Sequence, residues 1–111
     1  MAASFETFVH SVVATAALTN ARAVSALGAL PAAGARSLGF AKFDAPIGTR
    51  VSVAVTGSTN AEAGAAIPLG SALELDALGR VIVRATGVQV GSALMAAAAA
   101  GDRIEIALAV N

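Results

Sequence analysis

The sequence predicts an all-β fold: a small, compact β-barrel-like or β-sandwich domain with an extended N-terminal arm and little helix. Three observations predict it. From Arg50 to Thr56, valines at 51, 53 and 55 alternate with Arg50, Ser52, Ala54 and Thr56. That period of two places one set on a buried sheet face. From Asp102 to Val110, Ile104, Ile106, Leu108 and Val110 alternate with Arg103, Glu105, Ala107 and Ala109 in the same way. Between them, Leu73–Leu75 and Val81–Val83 flank the turn sequence Asp76-Ala77-Leu78-Gly79.

That turn carries the sharpest local expectation. An aspartate opening a type I turn and a glycine closing it in the left-handed conformation make a three-residue hairpin loop with a bulge. The loop sets Leu75 opposite Val81, Glu74 opposite Ile82 and Leu73 opposite Val83. Leu73, Leu75, Val81 and Val83 then share the buried face, and Asp76 meets Arg80 on the exposed one.

The remaining elements follow in order. Residues 1–18 hold Phe5, Phe8 and the single histidine, His10, in a loose alternation that reads as an N-terminal arm or edge strand. Residues 19–111 form the β domain. Ala14 to Leu30 is rich in alanine and leucine, which favour helix, but its Thr, Val and Ser content, Asn20 and Gly28 weigh against one. Pro31 and Gly34 mark a turn, and Gly57-Ser58-Thr59-Asn60 reads as a loop. Val88 to Met95 is a further strand. The alanines from 96 to 100 read as a connector with room for one helical turn, too short to stand alone. No linker, repeat or second domain is visible.

Composition narrows the function. The chain has 111 residues, the length of one domain, and 57% of them are apolar, with a mean hydropathy of +0.78. Thirty alanines supply much of that. Seven basic and seven acidic residues balance, so no field draws nucleic acid or an anionic membrane. The longest run without a charge, Ala85 to Gly101, contains three glycines, Thr86, Gln89 and Ser92, and is too broken to span a bilayer. The N-terminus carries an acid and no base ahead of its apolar run, so no signal peptide is expected. The absence of cysteine fits assembly in a reducing cytosol. So much apolar surface on so small a domain points to a protein partner.

The phrasing GFAKFDAPIGTRVSVAV, then EAGAAIPLGSALELDALGRVIVRATG, then GSALMAAAAAGDRIEIAL resembles the capsid cement, or head decoration, proteins of tailed bacteriophages. Gly39, Asp44, Ala45, Gly48, Val51 and Val53 fill the early positions of that pattern. Gly70, Leu73, Asp76, Gly79, Arg80, Gly87, Gly101, Asp102, Ile104 and Glu105 fill the later ones. The resemblance covers roughly residues 12–110 and is weakest at the extreme N-terminus. It implies a homo-oligomer, a trimer before a dimer, bound to the major capsid protein on the outer surface of an icosahedral head. It also implies assembly in the host cytoplasm, no catalysis and no cofactor.

Weighed residue by residue, the sequence offers no catalytic, cofactor-binding or metal site. His10 lacks the second and third ligands that a metal needs, and lacks a nucleophile or orienting partner at any known spacing. The glycines form neither GxGxxG nor a P-loop. Glu62, Glu74, Asp76 and Glu105 sit near arginines, as solvated faces do. The four phenylalanines and His10 are the candidate contact residues: Phe5, Phe8 and His10 in the arm, Phe40 and Phe43 about Lys42. On a strand the last two point to opposite faces, one to the core and one outward. The alternatives are a tail- or fibre-associated virion component and, with least support, a small β-barrel binding module or enzyme.

Overall fold

The computed structural model describes residues 5–108, with side-chain surroundings over 10–108. Its elements are β1 (Phe5–Val13), β2 (Ala23–Val24), β3 (Gly39–Ala41), β4 (Arg50–Glu62), β5 (Ala72–Leu75), β6 (Val81–Val83), β7 (Gly91–Ala93) and β8 (Arg103–Leu108). Among the described residues there is no helix. All strand pairs are antiparallel, in the order β2-β3-β4-β8-β7-β5-β6, with β1 also on β4.

The long strand β4 organises the sheet. Ala54 pairs with both Val9 and Phe40, and Ser58 with both Phe5 and Ala107. Hence β1 runs along one edge of β4, while β3 and β8 follow one another along the other. Both described chain ends therefore lie beside Ser58. From β8 the sheet curls through β7 and β5 until β6 meets the segment that follows β4. There Ala63 bridges Val81, and the Gly64 N–H donates to the Val81 carbonyl at 2.8 Å. The result is a half-barrel, the barrel-like form the alternation predicts.

Two cores fill it. Inside the curl, Phe40, Ile67, Leu73, Leu75, Val81, Val90, Ile104 and Ile106 pack with Ala23, Ala61, Ala63, Ala93 and Ala97. Where β1 and β3 flank the start of β4, Val24, Val51 and Val53 pack with Ala14, Leu18, Ala41 and Ala45. Alanine is frequent in both because adjoining segments come too close for larger side chains at a close-packed density.

The Asp76 hairpin has the expected register, Leu73–Val83, Glu74–Ile82 and Leu75–Val81. Asp76 Oδ1 accepts the N–H groups of Leu78 and Arg80, both at 2.9 Å, and Oδ2 accepts Arg80 Nε at 2.9 Å. Gly79 has φ 77°, and a Cβ there would lie 2.6 Å from Leu30 Cδ1 and 3.3 Å from the Ala23 nitrogen. Gly79→Val therefore meets both backbone strain and a steric block, together about 2 kcal/mol. The melting temperature should fall by on the order of 10 °C for a domain this size; an unchanged melting curve would refute this turn.

Several local expectations are corrected. Gly57–Asn60 is not a loop: β4 continues to Glu62, because residues 58–62 find partners in residues 107–103 of β8. Neither alanine-rich stretch is helical. Ala14 bonds to Thr49 and Leu18 to Ala45, and these tertiary hydrogen bonds override alanine's helix propensity. In the run after Met95, Ala97 exchanges both hydrogen bonds with Ile67, and the Asp102 carboxylate accepts the N–H groups of Ala98 and Ala99. The strand expected from Val88 to Met95 shortens to Gly91–Ala93. Val83 is half exposed, because the cover on outermost β6 stops at the Ala63–Val81 bridge. Ala109 and Val110 lie outside the described residues.

Candidate functional site

The acidic side chains serve the fold. Asp44 accepts the Asn20 N–H, Glu105 the Ser58 hydroxyl, and Glu62 a two-point bond from Arg22 at 3.2 and 3.1 Å. Asp76 and Asp102 close the turns already described. With Glu74, these are all the carboxylates among the described side chains, and each is committed to a named partner. Among the described residues no three His, Cys, Asp or Glu side chains group as a metal site would require. His10 is exposed on β1, opposite Val53.

Glu74 departs from the solvated role its neighbours suggest. It is 9% exposed, beside an open depression of about 500 Å³ lined by Gly34, Asp76, Ile82, Thr86 and Gly87 among others. Its Oε1 accepts the N–H groups of Ala85 and Gly87. The chain after β6 turns back over Glu74, presenting its N–H groups as a nest for the carboxylate. The Ala85 N–H above all, then that of Gly87, holds the carboxyl below its ordinary value of 4.5. Burial opposes them, and the Thr86 N–H and the Arg84 charge add to them.

A carboxyl whose pKa is depressed by folding stabilises the fold above its unfolded pKa and loses that effect as pH falls through the folded value. The difference in melting temperature between the native protein and Glu74→Gln should be full near neutral pH. It should shrink as pH drops below about 4.5. A difference constant from pH 7 to pH 3 would show that Glu74 does not hold this loop through its charge.

What remains for function is surface. Phe40 is fully buried in the core inside the curl, which removes it from the surface open to a partner, whereas Phe43 is 43% exposed. The side chains of Phe5 and Phe8 lie outside the described residues. Large apolar side chains also reach solvent at Val13, Leu27, Leu30, Ile47, Leu69, Leu78, Val83 and Leu94. Sequence reasoning passed over these because most lie in loops, where no periodicity separates inside from outside. The one available signal was placement: Ile47 follows Pro46 and precedes Gly48, and Leu69 follows Pro68 and precedes Gly70, at turn tips.

The described residues form a small all-β domain whose carboxylates brace its turns and whose loops expose aliphatic side chains. The comparisons give the class. The chain matches the phage cement protein family over residues 5–108, and it belongs to that family. It is a structural protein of the bacteriophage capsid. Its fold is similar to the crystal structure of the head fiber gp8.5 N base in bacteriophage phi29, with a TM-score of 0.77. That similarity covers 92% of this chain and 93% of the other at 17% identity, so it is a likeness of fold. No curated protein matches the sequence.

Proposed function

We propose that this protein is a non-enzymatic cement that binds the outside of an icosahedral phage head as a homo-oligomer, a trimer before a dimer. Bound there, it stabilises the lattice of the major capsid protein. The match to the phage cement proteins across the whole described chain carries this reading. Each site need be only moderately tight, because one oligomer engages several capsid subunits and linked sites reinforce one another. A ligand that binds only the expanded shell stabilises it by linkage, about 2.7 kcal/mol per site at a hundredfold excess over Kd. That stabilisation opposes the pressure of packaged DNA.

Adding purified protein to undecorated mature heads should produce regular external density in image reconstructions. Positions left empty at saturating protein would overturn the reading. Within it, the N-terminal segment is a capsid contact, by strand addition or by insertion of Phe5 and Phe8. Register shifts at Glu6/Phe8 and Phe8/Val9 set the first residues of β1 apart from Val9–Val13, which pair regularly with β4. Removing Met1–Phe8 should therefore leave the oligomer mass unchanged and weaken head binding by about tenfold or more. Undiminished head binding would refute this role.

A further inference from the structure

The fold leaves the Glu74 carboxylate half used. On β5, Leu73 and Leu75 point into the core, and Glu74 between them points to the other side of the sheet, opposite Ile82 of β6. The chain after β6 turns back over it there, so the side chain is nine-tenths buried. The hydrogen bonds it accepts from described residues, those of the Ala85 and Gly87 N–H groups, end on Oε1. Oε2 accepts none from them. Among the described residues every fully buried side-chain oxygen has a partner, so Oε2 is the atom through which Glu74 opens onto the depression. Gly34 and Gly87 flank that oxygen: a Cβ at the first would lie 3.7 Å from it and at the second 3.0 Å. Side chains at these two positions would crowd it.

The neighbouring charges are committed elsewhere. Asp76 Oδ2 accepts Arg80 Nε at 2.9 Å. Arg84 Nε donates to the Gly87 carbonyl at 2.8 Å, and Arg84 is exposed, where water and salt screen its charge. What remains is a fixed anion in the wall of a depression whose lining also includes apolar Ala33, Ala77 and Ile82. A long basic side chain suits both parts. Its methylene stem covers the apolar surface, and its charged head donates to the carboxylate. A neutral group would leave the charge unmet, and an anion would be repelled.

We propose that this depression receives a basic side chain, lysine or arginine, of the partner protein, with Glu74 Oε2 as its acceptor. The partner's identity rests on the capsid-binding reading above, which makes that side chain one of the major capsid protein. Amide proton–nitrogen spectra of the native protein, titrated with Nα-acetyl-lysine methylamide or its arginine counterpart, test the site directly. The Ala85, Thr86 and Gly87 signals should shift progressively, with a Kd on the order of 10 mM. They should stay in place with Nα-acetyl-norleucine methylamide, which has no charge. Glu74→Gln should abolish the shifts. Ala77 is exposed at the rim and takes no part in the Glu74 hydrogen bonds. Ala77→Lys should weaken binding of the basic probes about threefold, and Ala77→Glu should tighten it by a similar factor. A Glu74 that only holds its loop responds to neither. Should Glu74→Gln fail to fold, the Ala77 pair decides.

Equal shifts with basic and norleucine probes, no shift with any probe, or one affinity in both Ala77 variants overturns the proposal. Head binding should follow the probes, weaker for Ala77→Lys than for the native protein. Undiminished head binding by Ala77→Lys also overturns it, because the depression then meets no capsid side chain. Shifts selective for the basic probes, without binding of native protein to heads, uphold the site and sink the capsid-binding reading instead.

Discussion

Phe40→Ala should cost about 3–5 kcal/mol and lower the melting temperature by 15 °C or more, the largest single effect expected in this chain. Phe40 has no exposed surface, and its backbone is clamped between Ala23 of β2 and Ala54 of β4. Its side chain belongs to the core that includes Ile104 and Ile106. Truncation leaves a cavity the size of a ring. The strands on either side are held by backbone pairs, so they move little to fill it, and the loss falls in the upper part of the range. Against a total stability of about 5–15 kcal/mol, much of the folding free energy disappears. Phe43→Ala is the matched comparison. That ring is nearly half exposed, so its removal should cost about 1 kcal/mol or less. Equal losses of melting temperature at the two positions would overturn the placement of Phe40 in the core and Phe43 at the surface.

Gly39→Ala should be nearly as damaging, although it adds a single methyl group. A Cβ at residue 39 would lie 2.0 Å from the Ala54 carbonyl oxygen and 2.8 Å from Val53 Cγ1. The first of these is backbone in the middle of β4, which β1 holds from its other edge. It has no side-chain torsion through which to yield. The methyl therefore pushes β3 away from β4, at the expense of the Phe40–Ala54 and Ala41–Val53 pairs. The cost should be about 3 kcal/mol, read as an earlier denaturant midpoint. An unchanged midpoint with an unchanged slope would show that β3 is not held this close to β4.

Short-range chemistry made part of this legible in advance. The Asp76 hairpin was readable to the residue because its turn is set by the four residues within it. An aspartate carboxylate that caps N–H groups two and four residues on acts the same way in any surroundings. The alternation of β4 and β8 was readable because a buried sheet face leaves a period of two. Phe40 is buried and Phe43 exposed as expected, but not through a shared pleat, because β3 ends at Ala41 and Phe43 lies in the bend after it. Gly57–Asn60 misled because those four residues look like a loop until β8 arrives to pair with them. Glu74 misled because its partners, Ala85 and Gly87, lie beyond the turn it precedes. The exposure of Leu27 and Leu30 was invisible because both lie in a loop. Only the neighbouring segments decide whether a loop leucine is covered.

By itself, then, the sequence determined what local forces determine: an all-β chain, a hairpin with its register, balanced charge and more apolar surface than one small domain buries. Its phrasing also carried the resemblance to phage cement proteins. The tertiary structure alone decided that β4 serves β1 on one edge and both β3 and β8 on the other. It decided which carboxylates turn inward, and which aliphatic side chains remain exposed. These outcomes depend on contacts between residues tens of positions apart. Such contacts are set by packing the whole curled sheet around two cores, and no window along the chain contains them.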